Sequence, residues 1–190
     1  MSAREKILDA AARVMNEKGL ARATTKEIAR EAGYSEAALY KHFADKQEIF
    51  LGVLNERLPR PQAPADLVGA GTVVGNLEII TGQLLRFYVR TFPIAASIFS
   101  APELLTSWRD GMNAKGAGPR MPSAGVEHYL AGEIEAGRLA ATVDPWATAA
   151  LLVGAAMHQA FLANFEGLDE VPDADAVARR LVSAVDLATP

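Results

Sequence analysis

The sequence predicts an all-α fold with a small helical head, residues 1–58, and a larger helical body, residues 66–190. Apolar residues recur at helical spacing, and no segment alternates apolar and polar residues over the length of a strand. Short Ser/Thr-x-x-Glu patterns mark helix starts in the head. Prolines between Pro59 and Pro64 interrupt the periodicity and predict a domain boundary over Pro59–Asp66.

The first and fourth helices of the head carry clear start signals. Ser2 with Glu5 forms a capping box, and Asp45 with Glu48 caps the fourth helix. Gly19 closes the first helix. Apolar residues at helical spacing predict a buried face on each helix. They are Ile7, Leu8, Ala11, Val14 and Met15 on the first and Ile49, Phe50, Val53 and Leu54 on the fourth.

Two further helices lie between these, separated by a short turn. Thr24 and Glu27 form a capping box, and Gly33 stands where a residue of positive φ would end that helix. Ser35 caps the next helix. Its inward-pointing residues are Leu39 and Phe43. A helix, a turn containing glycine and a second helix form a helix-turn-helix, whose second helix reads the DNA major groove.

This head resembles the TetR-type, tetracycline-repressor-like regulators over Ile7 to Leu54, which is under a third of the chain. The residues that carry the resemblance are Thr25, Ile28, Ala29, Gly33, Leu39, Tyr40, His42, Phe43 and Lys46. The resemblance implies a homodimer that binds double-stranded operator DNA and responds to a small apolar or amphipathic effector. The charged, amphipathic N-terminus lacks the apolar core of a signal peptide, so the cytoplasm is the expected compartment. Repression, relieved by the effector, is the expected mode.

The resemblance also assigns DNA contacts. Thr25, Lys26 and Lys46, at the starts of the second and fourth helices, would bind phosphate. The recognition helix would meet bases at its start and the backbone or bases further along. These residues are Ser35, Glu36, Ala37 and Ala38, followed by Tyr40, Lys41 and His42.

Several of these residues have alternative roles. Tyr40 can pack on the core of the head, Lys41 can be a solvated charge, and His42 can cap or pack. Glu36 departs from the expected polarity, since an anion repels phosphate. It can accept from cytosine N4 and select a base, or it can point away from DNA.

A net charge of −4 argues against DNA binding, but the charges are unevenly distributed along the chain, which weakens this argument. The head, residues 1–58, holds ten basic and nine acidic residues, whereas the remainder holds nine and fourteen. A near-neutral head on an acidic body can bind DNA if its cations share one face.

Proline positions organise the body. Pro93, Pro102 and Pro145 predict helix starts or breaks, and Asp144 caps the helix that Pro145 begins. The predicted helices are Leu67–Thr91, Ile94–Phe99, Glu103–Met112, Ser123–Ala136, Pro145–Glu166 and Ala174–Ala188.

One long segment of the body, Pro145–Phe165, contains no Asp, Glu, Lys or Arg in 21 residues. Its length allows a membrane span. Its polar residues and the absence of a flanking basic cluster instead favour a helix at a core or interface. The resemblance to TetR-type regulators implies that one face of this helix, together with the final helix, forms a dimer interface. Its residues are Leu151, Gly154, Ala155, His158, Leu162, Leu181 and Val185.

Large apolar residues on several body helices suggest a ligand pocket with a few polar anchors. The candidates are Phe87, Phe92, Phe99, Trp108, Met112, His128, Trp146, Met157 and Phe161. For each residue taken singly, core packing is the better interpretation, and it is the resemblance that favours a pocket.

The composition argues against other functions. The chain has no Cys, and no nucleophile–base pair, metal cluster or phosphate loop stands out, so neither an enzyme nor a cofactor nor a metal is expected. A DNA-binding regulator without an effector, controlled by a protein partner, is the main alternative. A helical-scaffold enzyme is less favoured.

Overall fold

The computed structural model describes residues 1–19, 22–57, 64–114, 116 and 118–189. Over these residues the secondary structure is entirely helical, which confirms the predicted all-α class. Most of the predicted linker, residues 59–63, lies outside the described residues, as do residue 58 and the side chain of Leu54.

Four α-helices form the head: α1 (Ala3–Lys18), α2 (Thr25–Ala32), α3 (Glu36–Leu39) and α4 (Lys46–Glu56). Both predicted capping boxes are present, and Gly33 ends α2 in the left-handed conformation at φ 76°. The recognition helix α3 is a single turn, because Tyr40 already belongs to a turn. Leu39 and Phe43 are nevertheless both buried, as predicted.

The rest of the chain contains α5 (Val73–Phe99), α6 (Pro102–Ala114), α7 (Met121–Glu135), α8 (Pro145–Phe165) and α9 (Ala174–Val182), preceded by a 3-10 helix at Pro64–Leu67. The predicted cap of α8 is confirmed, since Asp144 accepts from the Ala147 amide at 3.0 Å. The prediction that the last helix reaches Ala188 is wrong. It ends at Val182, and the following segment packs back through an Ala140 amide to Ala188 carbonyl bond of 2.8 Å.

The predicted break at Pro93 is wrong, because α5 continues through that residue. Proline has no N–H for the carbonyl of Val89, four residues earlier. Asn164 on α8 supplies the missing donor: its side-chain amide donates to the Val89 carbonyl at 3.0 Å and to the Ala160 carbonyl at 2.9 Å. An interaction between residues distant in sequence therefore completes the helix.

The chain divides into two compact units. The first unit comprises Met1–Pro59 with Pro93–Lys115, and the second comprises Arg60–Phe92 with Gly116–Pro190. Residues 93–115, which the sequence assigned to the body, thus join the head. Their contribution to its core consists of Ile94, Ile98 and Leu104, with Trp108 packed against it.

A buried polar group holds the start of the second unit together. The Asn76 side-chain amide donates to the carbonyls of Leu67 and Ala70 at 3.2 and 2.8 Å and to the Tyr129 hydroxyl at 3.1 Å. Burial raises the pKa of Tyr129 to about 12, so this hydroxyl is neutral at physiological pH. Fully buried Glu133 lies at the same place and accepts from the Gly69 amide at 3.3 Å.

Candidate nucleic-acid interface

Most of the ten residues predicted to meet DNA are accessible on the head. Ala38 and Lys46 are half-buried, and Thr25 is buried at 9% exposure. The exposed residues are Lys26, Ser35, Glu36, Ala37, Tyr40, Lys41 and His42. Tyr40 is 49% exposed, so its ring is not enclosed in the core of the head.

Ion pairs within the head use cations other than the predicted lysines. Four pairs connect Arg4 with Glu56, Arg13 with Glu31, Lys18 with Glu27, and Arg57 with Asp9. Among the described residues no ion pair engages the three predicted lysines, which leaves their charges available for phosphate. These are Lys26, Lys41 and Lys46.

Lys46 has a defined position at the start of α4. Asp45 caps this helix by accepting from the Glu48 amide at 2.7 Å. The Lys46 ammonium lies 5.0 Å from the centroid of the Phe50 ring, a cation–π geometry that limits where the charge can move. A cation held at a helix start, where free amides also point outward, is suited to binding phosphate.

The starts of α2 and α3 are joined by a side-chain hydrogen bond. The Thr25 hydroxyl donates to Glu36 Oε1 at 2.5 Å. Spacing along the sequence did not reveal this bond, because it joins residues on two helices that meet only across the turn. The Thr25 hydroxyl is therefore occupied by Glu36, whereas the sequence had assigned it to phosphate.

Sequence reasoning also missed the interactions that hold α1 and α4 together. The Arg4 guanidinium donates two hydrogen bonds to Glu56, at 2.6 and 2.8 Å, and lies 5.3 Å from the Phe43 ring centroid. Arg57 donates to Asp9 at 2.6 Å. The first pair is separated by 52 residues, so no local pattern could have indicated it.

The nine predicted ligand residues are distributed over both units. Phe99, Trp108 and Met112 belong to the first unit, where Phe99 is 68% exposed and Trp108 packs against the core. The other six belong to the second unit, namely Phe87, Phe92, His128, Trp146, Met157 and Phe161.

Several of the predicted ligand residues of the second unit lie at its surface. His128 is exposed on α7, and Trp146, Met157 and Phe161 are 67, 47 and 41% exposed on α8. Phe161 does touch Phe92, with ring centroids 5.5 Å apart. Two open grooves of about 310 and 360 Å³ lie elsewhere on this unit, and none of the nine residues lines them.

The helix α8 has two apolar faces. One packs into the core of the second unit through Leu152, Ala156, Ala160 and neighbouring residues. The other is open to solvent. Its exposed members recur at helical spacing along the whole helix: Trp146, Ala150, Leu151, Gly154, Met157, His158, Phe161 and Phe165.

The predicted dimer residues fall largely on or beside this open face. Ala155 and Leu162 are half-buried, as are Leu181 on α9 and Val185, which lies beyond the end of α9. By length and composition α8 is the one candidate membrane span among the described helices. Its packed inner face fits a core and interface helix, because a bilayer span does not require one side to be buried in a protein core.

The described residues contain no group of three or more His, Cys, Asp or Glu arranged to hold a metal ion. The head presents three lysines that form no ion pair among the described residues, together with a one-turn recognition helix and capped helix starts. It defines the class of helix-turn-helix DNA-binding proteins.

Comparison with known proteins makes the class specific. Residues 7–53 match the family model of bacterial regulatory proteins of the tetR family. The head is therefore a TetR-type helix-turn-helix domain. Nucleoid occlusion factor SlmA from Aliivibrio fischeri is 44% identical over 52 residues, which are 27% of this chain and 26% of that protein. The chain thus spans about a quarter of the length of this relative.

The likeness in fold extends over nearly the whole chain. FadR from Bacillus subtilis, in complex with stearoyl-CoA, matches with a TM-score of 0.66 at 18% identity, over 96% of this chain and 99% of that one. SmeT, the repressor of the Stenotrophomonas maltophilia multidrug efflux pump SmeDEF, matches with a TM-score of 0.65 at 24% identity, over 97% and 90%. At these identities the likeness establishes the fold.

Proposed function

We propose that this protein is a cytoplasmic, homodimeric DNA-binding transcriptional regulator that represses its target genes. The observation that carries the proposal is the set of exposed or half-buried lysines without an ion pair on a TetR-type helix-turn-helix head. Lys26 and Lys46 start α2 and α4, and Lys41 follows the recognition helix. Each can neutralise a phosphate without first giving up an intramolecular partner.

Fluorescence anisotropy with the gene's own upstream DNA, measured over a range of salt concentrations, tests this proposal. Lys46→Ala should weaken binding to all sequences alike and reduce the magnitude of the salt slope by roughly one unit for each phosphate that is no longer neutralised. Arg120→Ala, which removes an exposed cation of the body, is the matched control and should leave the slope unchanged. An unchanged slope for Lys46→Ala would remove this residue from the interface.

A two-fold dimer fits both the DNA and the exposed face of α8. Two recognition helices about 34 Å apart read successive major grooves on one side of the duplex. A large exposed apolar face on a globular protein usually marks an interaction site. The small Gly154 allows two helices to approach closely at the middle of that face, and an added Cβ there would meet no atom within 4 Å.

We further propose that a small apolar or amphipathic effector releases the dimer from DNA. The effector would act by binding one of two conformers of the dimer more tightly. FadR in complex with stearoyl-CoA and the repressor SmeT, two proteins of this fold, motivate the idea. A thermal-shift screen followed by DNA competition tests it. A ligand at 100 times its dissociation constant should stabilise the dimer by roughly 2.7 kcal/mol per site and release DNA.

The dispersal of the nine predicted ligand residues favours a second candidate, a regulator without a small effector that is controlled by a protein partner. Trp146 and Phe161 are exposed on α8 instead of being enclosed around a small ligand. Failure of a broad apolar library to give either a thermal shift or DNA release would make this the better function.

A further inference from the structure

The carboxylate of Glu36 is held in place at the start of the recognition helix. Glu36 is the first residue of α3, and its Oε1 accepts from the Thr25 hydroxyl at 2.5 Å. Thr25 is 9% exposed, whereas Glu36 is exposed. A buried hydroxyl therefore anchors one oxygen of an accessible carboxylate, which restricts the rotamers of a side chain that would otherwise be mobile.

Four of the nine acidic groups of the head form ion pairs, and the carboxylate of Glu36 is not among them. Asp9, Glu27, Glu31 and Glu56 pair with basic side chains. Within the part of the chain that the structure describes, Glu36 forms no such pair. An uncompensated anion on a face that approaches phosphate opposes binding, so it is useful there only if a specific donor on the DNA meets it.

We propose that Glu36 is a specificity-determining residue that selects cytosine in each half-site, and that Thr25 is the positioning residue that orients it. This inference rests on the proposed DNA binding. In the major groove the base-edge hydrogen-bond donors are cytosine N4 and adenine N6. Adenine carries an N7 acceptor beside N6, which repels a carboxylate, whereas cytosine carries no acceptor on its own major-groove edge. With Oε1 held by Thr25, Oε2 is left to accept from N4.

Selection of bound sequences from a pool of randomised duplexes, with the full-length protein, tests the inference. The wild-type protein should enrich cytosine at one position of each half-site. Glu36→Gln should move the preference at that position to adenine, because a glutamine amide can both donate to N7 and accept from N6. Duplexes that differ only at that base should then show a discrimination of at least about fivefold that reverses between the two proteins.

Thr25 is tested by a matched pair of variants. Thr25→Val keeps the shape of the side chain but removes the hydroxyl, and it should reduce the cytosine preference while leaving the salt dependence of binding unchanged. Thr25→Ser retains a hydroxyl and should retain the preference. A purely structural role of Thr25 would instead weaken binding to all duplexes alike, and thermal melting of both variants identifies that outcome.

Three outcomes overturn the inference. Selection of the same base at every position by the wild-type protein and Glu36→Gln would exclude base reading by Glu36. A full cytosine preference in folded Thr25→Val would remove the positioning role. If the wild-type protein enriches no duplex and shows no salt-dependent binding, the proposed DNA-binding function fails, and this inference fails with it.

Discussion

The large apolar side chains of the head are mostly buried, whereas several of those on α8 are exposed. In the head Leu39 and Phe43 are buried at 0 and 2% exposure, and the exposed surface carries lysines. On α8 Leu151 and Phe165 are 64 and 81% exposed. The head has thus completed its core within one chain, whereas α8 leaves an apolar face to be covered. The difference supports an interface at α8 rather than at the head.

The largest effect is expected from placing a charge in the middle of the open face of α8. Gly154→Arg should weaken dimerisation by roughly 100-fold or more, because the interface would bury an unpaired cation. Sedimentation velocity should find monomers of unchanged helicity. Gly111→Arg on α6 is the matched control, since an added Cβ is equally unobstructed there. A Gly154→Arg dimer of native affinity would place the interface elsewhere.

The same substitution, Leu to Ala, should have different effects in the core of the head and on the open face of α8. Leu39→Ala should lower the free energy of unfolding by about 2–5 kcal/mol, because it opens a cavity in a closed core. Leu151→Ala should leave the stability of the monomer nearly unchanged and instead raise the dimer dissociation constant. Urea unfolding over a range of protein concentrations separates the two effects. Equal, concentration-independent losses of stability would mean that α8 is not an interface.

A third prediction concerns the hydrogen bond by which Asn164 on α8 replaces the backbone N–H that Pro93 lacks in α5. Asn164→Leu should cost about 1–3 kcal/mol of unfolding free energy, because the Val89 carbonyl loses the donor that Pro93 cannot supply. In a Pro93→Ala background, where a backbone N–H is restored, the same substitution should cost less. Urea unfolding of the four proteins gives this double-mutant cycle. Equal costs in both backgrounds would refute the compensation.

The smallest expected effect concerns the caps of the head. The Lys18 ammonium, followed by the Thr24 hydroxyl, lowers the pKa of Glu27 from 4.5 to about 2. Because the pKa is depressed in the folded state, ionised Glu27 favours folding above pH 4.5, and this contribution is lost as the pH falls toward 2. Glu27→Gln, which preserves the capping box, should differ from wild type near pH 7 and converge with it below that window. Unfolding at several pH values would show a constant difference if the charge were irrelevant.

Local signals predicted the head well. The capping boxes of Ser2 and Thr24, the end of α2 at Gly33 and the burial of Leu39 and Phe43 all follow from residues within one or two turns of one another. Such short-range hydrogen bonds and periodicities depend on backbone geometry more than on distant packing. The roles of the DNA-facing residues remain predictions, apart from the rearrangement that places Thr25 against Glu36.

The body was less predictable because apolar periodicity does not say what covers an apolar residue. Trp108 packs against the core of the first unit, whereas Trp146 is 67% exposed on α8, although both were candidates for one pocket. Likewise, Pro93 alone predicts a helix break, and only the side chain of Asn164, supplied from α8, explains its absence. These outcomes depend on interactions between residues far apart in the chain.

The sequence was sufficient to predict the all-α class, the caps that start the head's helices and the apolar character of α8. Each of these features depends on residues close together in the chain and on their spacing. Three features are visible only in the folded chain: residues 93–115 pack with the head, the Thr25 hydroxyl donates a hydrogen bond to Glu36, and one face of α8 is exposed. The physical reason is that burial and hydrogen-bond partnership are properties of the packed chain, in which residues dozens of positions apart compete for the same neighbours.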